Sequence, residues 1–132
     1  MVSVIEVGTK VNFPNKDNIR HHVYSFSPAK TFELKLYSGV PTQPLIFDKP
    51  GLVVMGCNIH DKMVAYVEVV PTPWFAKTDA SGFARIDGLP PGEYDIRVWH
   101  YRMVDQSGVL IHAVKSNSEN PLDISIELKP KN

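Results

Sequence analysis

The chain has 132 residues, 43 % of them hydrophobic, and its fourteen basic and fourteen acidic side chains cancel. That length and apolar content fit one domain, or one compact domain with an elaboration, and exclude a disordered chain. The zero balance removes the electrostatic case for nucleic acid, which needs surplus Lys and Arg on one face. No apolar stretch approaches the length of a membrane span.

Eleven prolines and eight glycines punctuate short β-branched runs, and no segment keeps a helical period. This pattern predicts an all-β sandwich or barrel. Val2, Val4 and Val7 mark a first strand, and Gly8-Thr9 turns it into Lys10-Val11-Asn12-Phe13. Residues 14–18 have strong turn chemistry. His21 to Phe26 and Thr31 to Tyr37 are predicted strands around a Ser27–Lys30 turn, the second with Phe32, Leu34 and Leu36 on one face. Leu45-Ile46-Phe47 is a short strand, and Leu52 to Met55 a fully apolar one. Met63 to Val70 alternates Val64, Tyr66 and Glu68 against Ala65, Val67 and Val69. Beyond Pro71-Thr72-Pro73 come turns at Thr78–Gly82, Gly88–Gly92 and Asp105–Gly108. The strands expected among them are Phe83–Ile86, Tyr94–Trp99, Val109–Val114 and Leu122–Leu128. Trp74 and Phe75 are expected to pack between sheets.

The chemistry concentrates in Gly56-Cys57-Asn58-Ile59-His60-Asp61-Lys62-Met63, where the only cysteine, a histidine and a methionine stand at Cys-x₂-His-x₂-Met spacing. A lone cysteine excludes an intramolecular disulfide and acts, if it acts, as a thiolate. Spacing of three also suits a helix, but Pro50-Gly51 and Gly56 argue for strand, then loop. A thiolate, an imidazole and a thioether in one short loop suggest a soft-metal site, and a second histidine would make it His₂Cys with a weak axial Met, the blue-copper set. His21-His22 is the source of that histidine. Strand alternation favours His22, because Tyr24 and Phe26 would share its face as core residues. Zinc accepts Cys and His but takes Met poorly, and structural zinc sites are spaced differently. A Cys–His protease dyad would need an orienting third group and usually a helix N-terminus, and neither is evident. The bland alternative is a small buried cysteine with Met63 as core filler.

Residues 2–70 resemble a cupredoxin. The likeness lies in Val11-Asn12-Phe13 before a loop, in His21-His22-Val23-Tyr24-Ser25-Phe26 where the family has His-Asn-Val-x-Phe, and in Cys57/His60/Met63. The short gap before Met63 resembles amicyanin more than plastocyanin. The wider run, from Phe13-Pro14-Asn15-Lys16-Asp17 to Trp99-His100, resembles bacterial cupredoxin-like proteins labelled methylamine utilisation proteins. The resemblance implies His21, Cys57, His60 and Met63 as ligands of one copper ion per chain. His22 then stands where the family has an asparagine that ties the ligand loops together, and Asn58 is the candidate to replace it.

Thr78-Asp79-Ala80-Ser81-Gly82-Phe83 and Gly88-Leu89-Pro90-Pro91-Gly92-Glu93-Tyr94 resemble the transthyretin-like regulatory module of carboxypeptidases. The expected fold is therefore a cupredoxin-like Greek-key β-sandwich over 1–70, continuous with a transthyretin-like β extension over 71–132. The implied function is electron transfer by a type 1 copper centre, without enzymatic activity, between redox protein partners. Copper delivery without electron relay, or a β-sandwich binding module with a vestigial site, are the alternatives. His100 and His112 are expected as surface or satisfied core histidines, with His100 the better outsider for the site. Less chain precedes His21 than the family has before its first ligand. The expectation is thus a trimmed periplasmic protein, a monomer or a strand-exchanged dimer.

Overall fold

The β-branched runs become strands wherever a neighbouring strand can take up their backbone bonds. The computed structural model describes residues 2–13, 21–36, 43–58, 62–116 and 122–131. The side chains of His21, Leu36, Cys57, Asn58, Lys62 and Met63 lie outside the described part. Among the described residues nine strands follow in order: β1 (Val2–Glu6), β2 (Thr9–Val11), β3 (His21–Ser27), β4 (Lys30–Leu36), β5 (Leu45–Phe47), β6 (Gly51–Asn58), β7 (Lys62–Val70), β8 (Glu93–Val98) and β9 (Val109–Lys115). The protein is all-β, with no helix among the described residues. It divides into two compact units, Met1–Arg85 and Ile86–Asn132.

In the first unit a five-stranded sheet runs β1-β7-β6-β3-β4, and a two-stranded sheet pairs β2 with β5. All neighbours are antiparallel except β1 and β7. Period-two alternation sorts the large sheet into two faces. On the inner face Val53, Met55, Val67 and Val69 are buried with Phe47 from the small sheet, and Ile5, Val7, Val11, Phe32 and Ala65 pack against them. Phe47 is fully buried and meets the edge of Phe32 at a centroid distance of 6.2 Å. This sandwich-like core explains why Ala65, Val67 and Val69 alternate with Val64, Tyr66 and Glu68.

The chain passes between sheets at one corner. Val7 N–H still donates to Val70 O of the large sheet, whereas Gly8 N–H donates to Phe47 O of the small one, both at 2.8 Å. Turning the peptide between consecutive amides puts Gly8 at φ +93°, where a Cβ would clash with its own backbone.

In the second unit β8 and β9 form a hairpin with an irregularity after Tyr94. Ala113, opposite that irregularity, has φ +58°, and its N–H donates to Asp95 Oδ1 at 3.3 Å. Buried Met103 forms an isolated bridge with Leu128.

Several expectations change. Leu52–Met55 is only part of a longer strand, β6, that continues through Cys57. Residues 83–86 form no strand, and within 122–128 only Leu128 makes a bridge. At Phe83 the reason is local. Asp79 Oδ1 accepts the Ser81 hydroxyl at 2.6 Å and the Ser81 and Phe83 N–H groups at 2.9 and 3.0 Å. The turn is closed by its own side chain, a local alternative to a ladder. Trp74 and Phe75 are 39 % and 37 % exposed rather than packed between sheets, and Phe26 is 76 % exposed rather than core.

Replacing Phe47 by Ala is expected to cost about 3–5 kcal/mol, whereas Phe26→Ala should stay within roughly 1 kcal/mol; urea unfolding compares the two. The Ser81 hydroxyl, then the Phe83 N–H, hold Asp79 below its ordinary pKa of 3.8. A carboxylate depressed on folding stabilises above its unfolded pKa, and that contribution fades as pH falls through the folded value. Asp79→Ala should therefore lower the urea midpoint at pH 7 and converge with the parent as pH falls below 3.8.

Candidate metal centre at the β6–β7 hairpin

Three central strands bring the sequence motif together through backbone register. Within the β6–β7 hairpin Cys57 is directly opposite Met63, and Asn58 opposite Lys62. On its other side β6 pairs with β3, with Val23 opposite Cys57 and His22 opposite Asn58. Directly opposed residues share a face of the sheet, and so do residues two apart along a strand. His21, Val23, Cys57 and Met63 therefore occupy register positions in phase with buried Ser25, Met55, Val53 and Val67. What the sequence suggested as a short loop from Gly56 to Met63 has strand on both sides, through Asn58 and again from Lys62. His60 lies outside the described residues, as do the side chains of His21, Cys57 and Met63.

His22 belongs to the opposite face. It lines up with Tyr24 and Phe26, as alternation requires, with ring centroids 5.7 Å (His22–Tyr24) and 5.5 Å (Tyr24–Phe26) apart. This row looks outward, however, because the core row of β3 is the one through Ser25, which is 1 % exposed. His22 Nε2 approaches Glu33 Oε1 at 3.0 Å, across the diagonal to β4. The atom is shielded from solvent, and the approach lacks hydrogen-bond alignment. The argument that favoured His22 as a ligand, a shared core face with Tyr24 and Phe26, thus loses its premise.

The remaining histidines have local roles in the second unit. His100 Nδ1 accepts the Arg102 N–H at 3.0 Å, and its ring stacks on Tyr101. His112 Nδ1 stands 3.3 Å from Asp95 Oδ1 with its side chain 69 % exposed. Asp105, like Asp79, is a turn residue held below its ordinary pKa, by the Ser107 hydroxyl and then by the Ser107 N–H. Among the described residues no three His, Cys, Asp or Glu side chains stand where they would share a metal ion.

One contact next to the motif was not anticipated. Tyr24 and Gly56 are cross-strand partners, and the Tyr24 ring lies over the space where a side chain at 56 would be. A glycine inside an otherwise apolar strand is the signal that points to such an approach. Around it the outer face forms a shallow groove of about 330 Å³ between Tyr24, Phe26, Val54 and Val64.

No family model, curated protein or solved structure matches this chain.

The donor chemistry suits a soft metal. A cysteine position and a methionine position opposite one another in the β6–β7 register, with a histidine position in phase on the next strand, form a coherent set of residue types. The register leads to a discriminating experiment. His21→Ala is expected to lower copper affinity at least tenfold, and His22→Ala to change it less than about threefold, as measured by competition with a chelator.

Proposed function

We propose that this chain is a small mononuclear copper protein that carries single electrons between redox protein partners, with His21, Cys57, His60 and Met63 as its ligands. The observation that supports this reading most is the β3–β6–β7 register, which has Cys57 opposite Met63 and His21 in the same row. On this reading residues 1–70 form a cupredoxin-like Greek-key sandwich, and residues 71–132 a transthyretin-like extension without catalytic activity of its own. The protein works in the periplasm, as a monomer or a strand-exchanged dimer.

Each ligand has a separate task. Cys57 would hold the metal as a thiolate, having given up its thiol proton, and would supply the strong bond. His21 and His60 would give imidazole nitrogens that suit the oxidised metal, and Met63 a weakly held thioether. A copper ion held by this set would supply a one-electron couple. Strands on both arms of the hairpin limit how far positions 57 and 63 can separate, which would favour a small reorganisation on electron transfer. His60 with Ile59 forms the contact through which a partner exchanges the electron.

Protein loaded with one equivalent of copper(II) is expected to show an intense visible thiolate-to-copper band and a reversible one-electron couple at constant copper content. Cys57→Ser should abolish the band. Folded parent protein that binds copper without the band overturns the proposal. Exchange of the metal rather than the electron points instead to a delivery protein.

A further inference from the structure

We propose that Tyr24 and Gly56 are positioning residues that set which residue of β3 lies opposite Cys57; the geometry stands alone, and its consequence for a metal rests on the copper reading. The two are Cα partners across the β3–β6 ladder. A Cβ built on Gly56 would stand 2.8 Å from Tyr24 Cε2, and closer still to Cζ and the hydroxyl oxygen. Real Cβ atoms do not approach that closely, so in this ring position only glycine fits beneath Tyr24. The ring is flanked along its own strand by His22 and Phe26.

This pairing supplies information that hydrophobic alternation lacks. A one-residue slip of β3 against β6 would carry Ser25 and its neighbours out of the core, so alternation already forbids it. A two-residue slip keeps every residue on its face while moving the strand about 7 Å. Alternation is blind to that error. The ring is not, because the β6 positions it can meet in this way are Leu52, Val54, Gly56 and Asn58, and only Gly56 lacks a side chain. The observed register has Val23 opposite Cys57. A slip in one direction would bring His21 opposite Cys57, and in the other Ser25. Either shifts the histidine position along β6, relative to Cys57, by the length of two residues.

The test uses the full chain with Tyr24→Phe, Tyr24→Ala, Gly56→Ala and the Tyr24→Ala/Gly56→Ala double variant. In metal-free protein, cross-strand backbone NOEs between Val23 and Cys57 should persist in Tyr24→Phe. In Tyr24→Ala they should weaken and be joined by contacts of Cys57 with residue 21 or 25. With copper bound, Tyr24→Phe should keep the position and intensity of the thiolate band. Tyr24→Ala and Gly56→Ala should each shift or broaden it and weaken copper binding roughly 10–100-fold. The double variant should be no worse than Tyr24→Ala, because the clash is gone. If Gly56→Ala does not fold, Tyr24→Ala decides. Parent-like NOEs and band in Tyr24→Ala overturn the proposal. A parent without the band whose register still loosens in Tyr24→Ala overturns the copper reading and supports the register pair.

Discussion

The first unit depends on the registered pairing of β3, β6 and β7. These strands contribute the buried residues Ser25, Val53, Met55, Val67 and Val69, and the same ladders continue to Val23, Cys57 and Met63. A pleated strand has only two faces, so one choice of phase assigns all these positions together. The row that forms the core is also the row that leads to the motif. The core positions and positions 21, 57 and 63 are thus coupled by backbone geometry.

The opposite phase carries a different kind of residue. His22, Tyr24 and Phe26 make an aromatic row on the outer face, and Val54 and Val64 are exposed beside it. Inside, Phe47 reaches the core from the second sheet, where the corner at Gly8 turns the chain from one sheet to the other. Along β3 the outward row is the more apolar one, so that strand read alone does not say which face is buried. The small sheet decides it by covering one of them.

Much was legible from local chemistry. Turn residues such as Pro28-Ala29 delimit β3 and β4, and the alternation of β7 appears in the structure residue for residue. Asp79 and Asp105 are the turn residues their neighbours suggested. Legibility failed where a strand needs a partner that lies far away in sequence. Phe83–Ile86 has suitable residues, yet its turn is satisfied internally and no ladder extends from it among the described residues. In 122–128 the same lack of a long partner reduces an alternating run to a single bridge at Leu128. Trp74 and Phe75 failed for a related reason, since large aromatics mark a core only if another layer covers them.

The sequence by itself determined the donor types, the Cys-x₂-His-x₂-Met spacing and the all-β character, because these follow from side-chain chemistry and short-range periodicity. Tertiary structure decided the phase and register. Alternation puts His21 and His22 on opposite faces, and the aromatic row of Tyr24 and Phe26 points to His22, yet nothing local to β3 says which face will be covered. Once β2 and β5 cover the Ser25 row, His21 is in phase with Cys57 and Met63, and His22 faces outward beside Glu33. The space above Gly56 has the same status: it is a missing side chain in the sequence, and only the ring of Tyr24 across the ladder gives it a purpose.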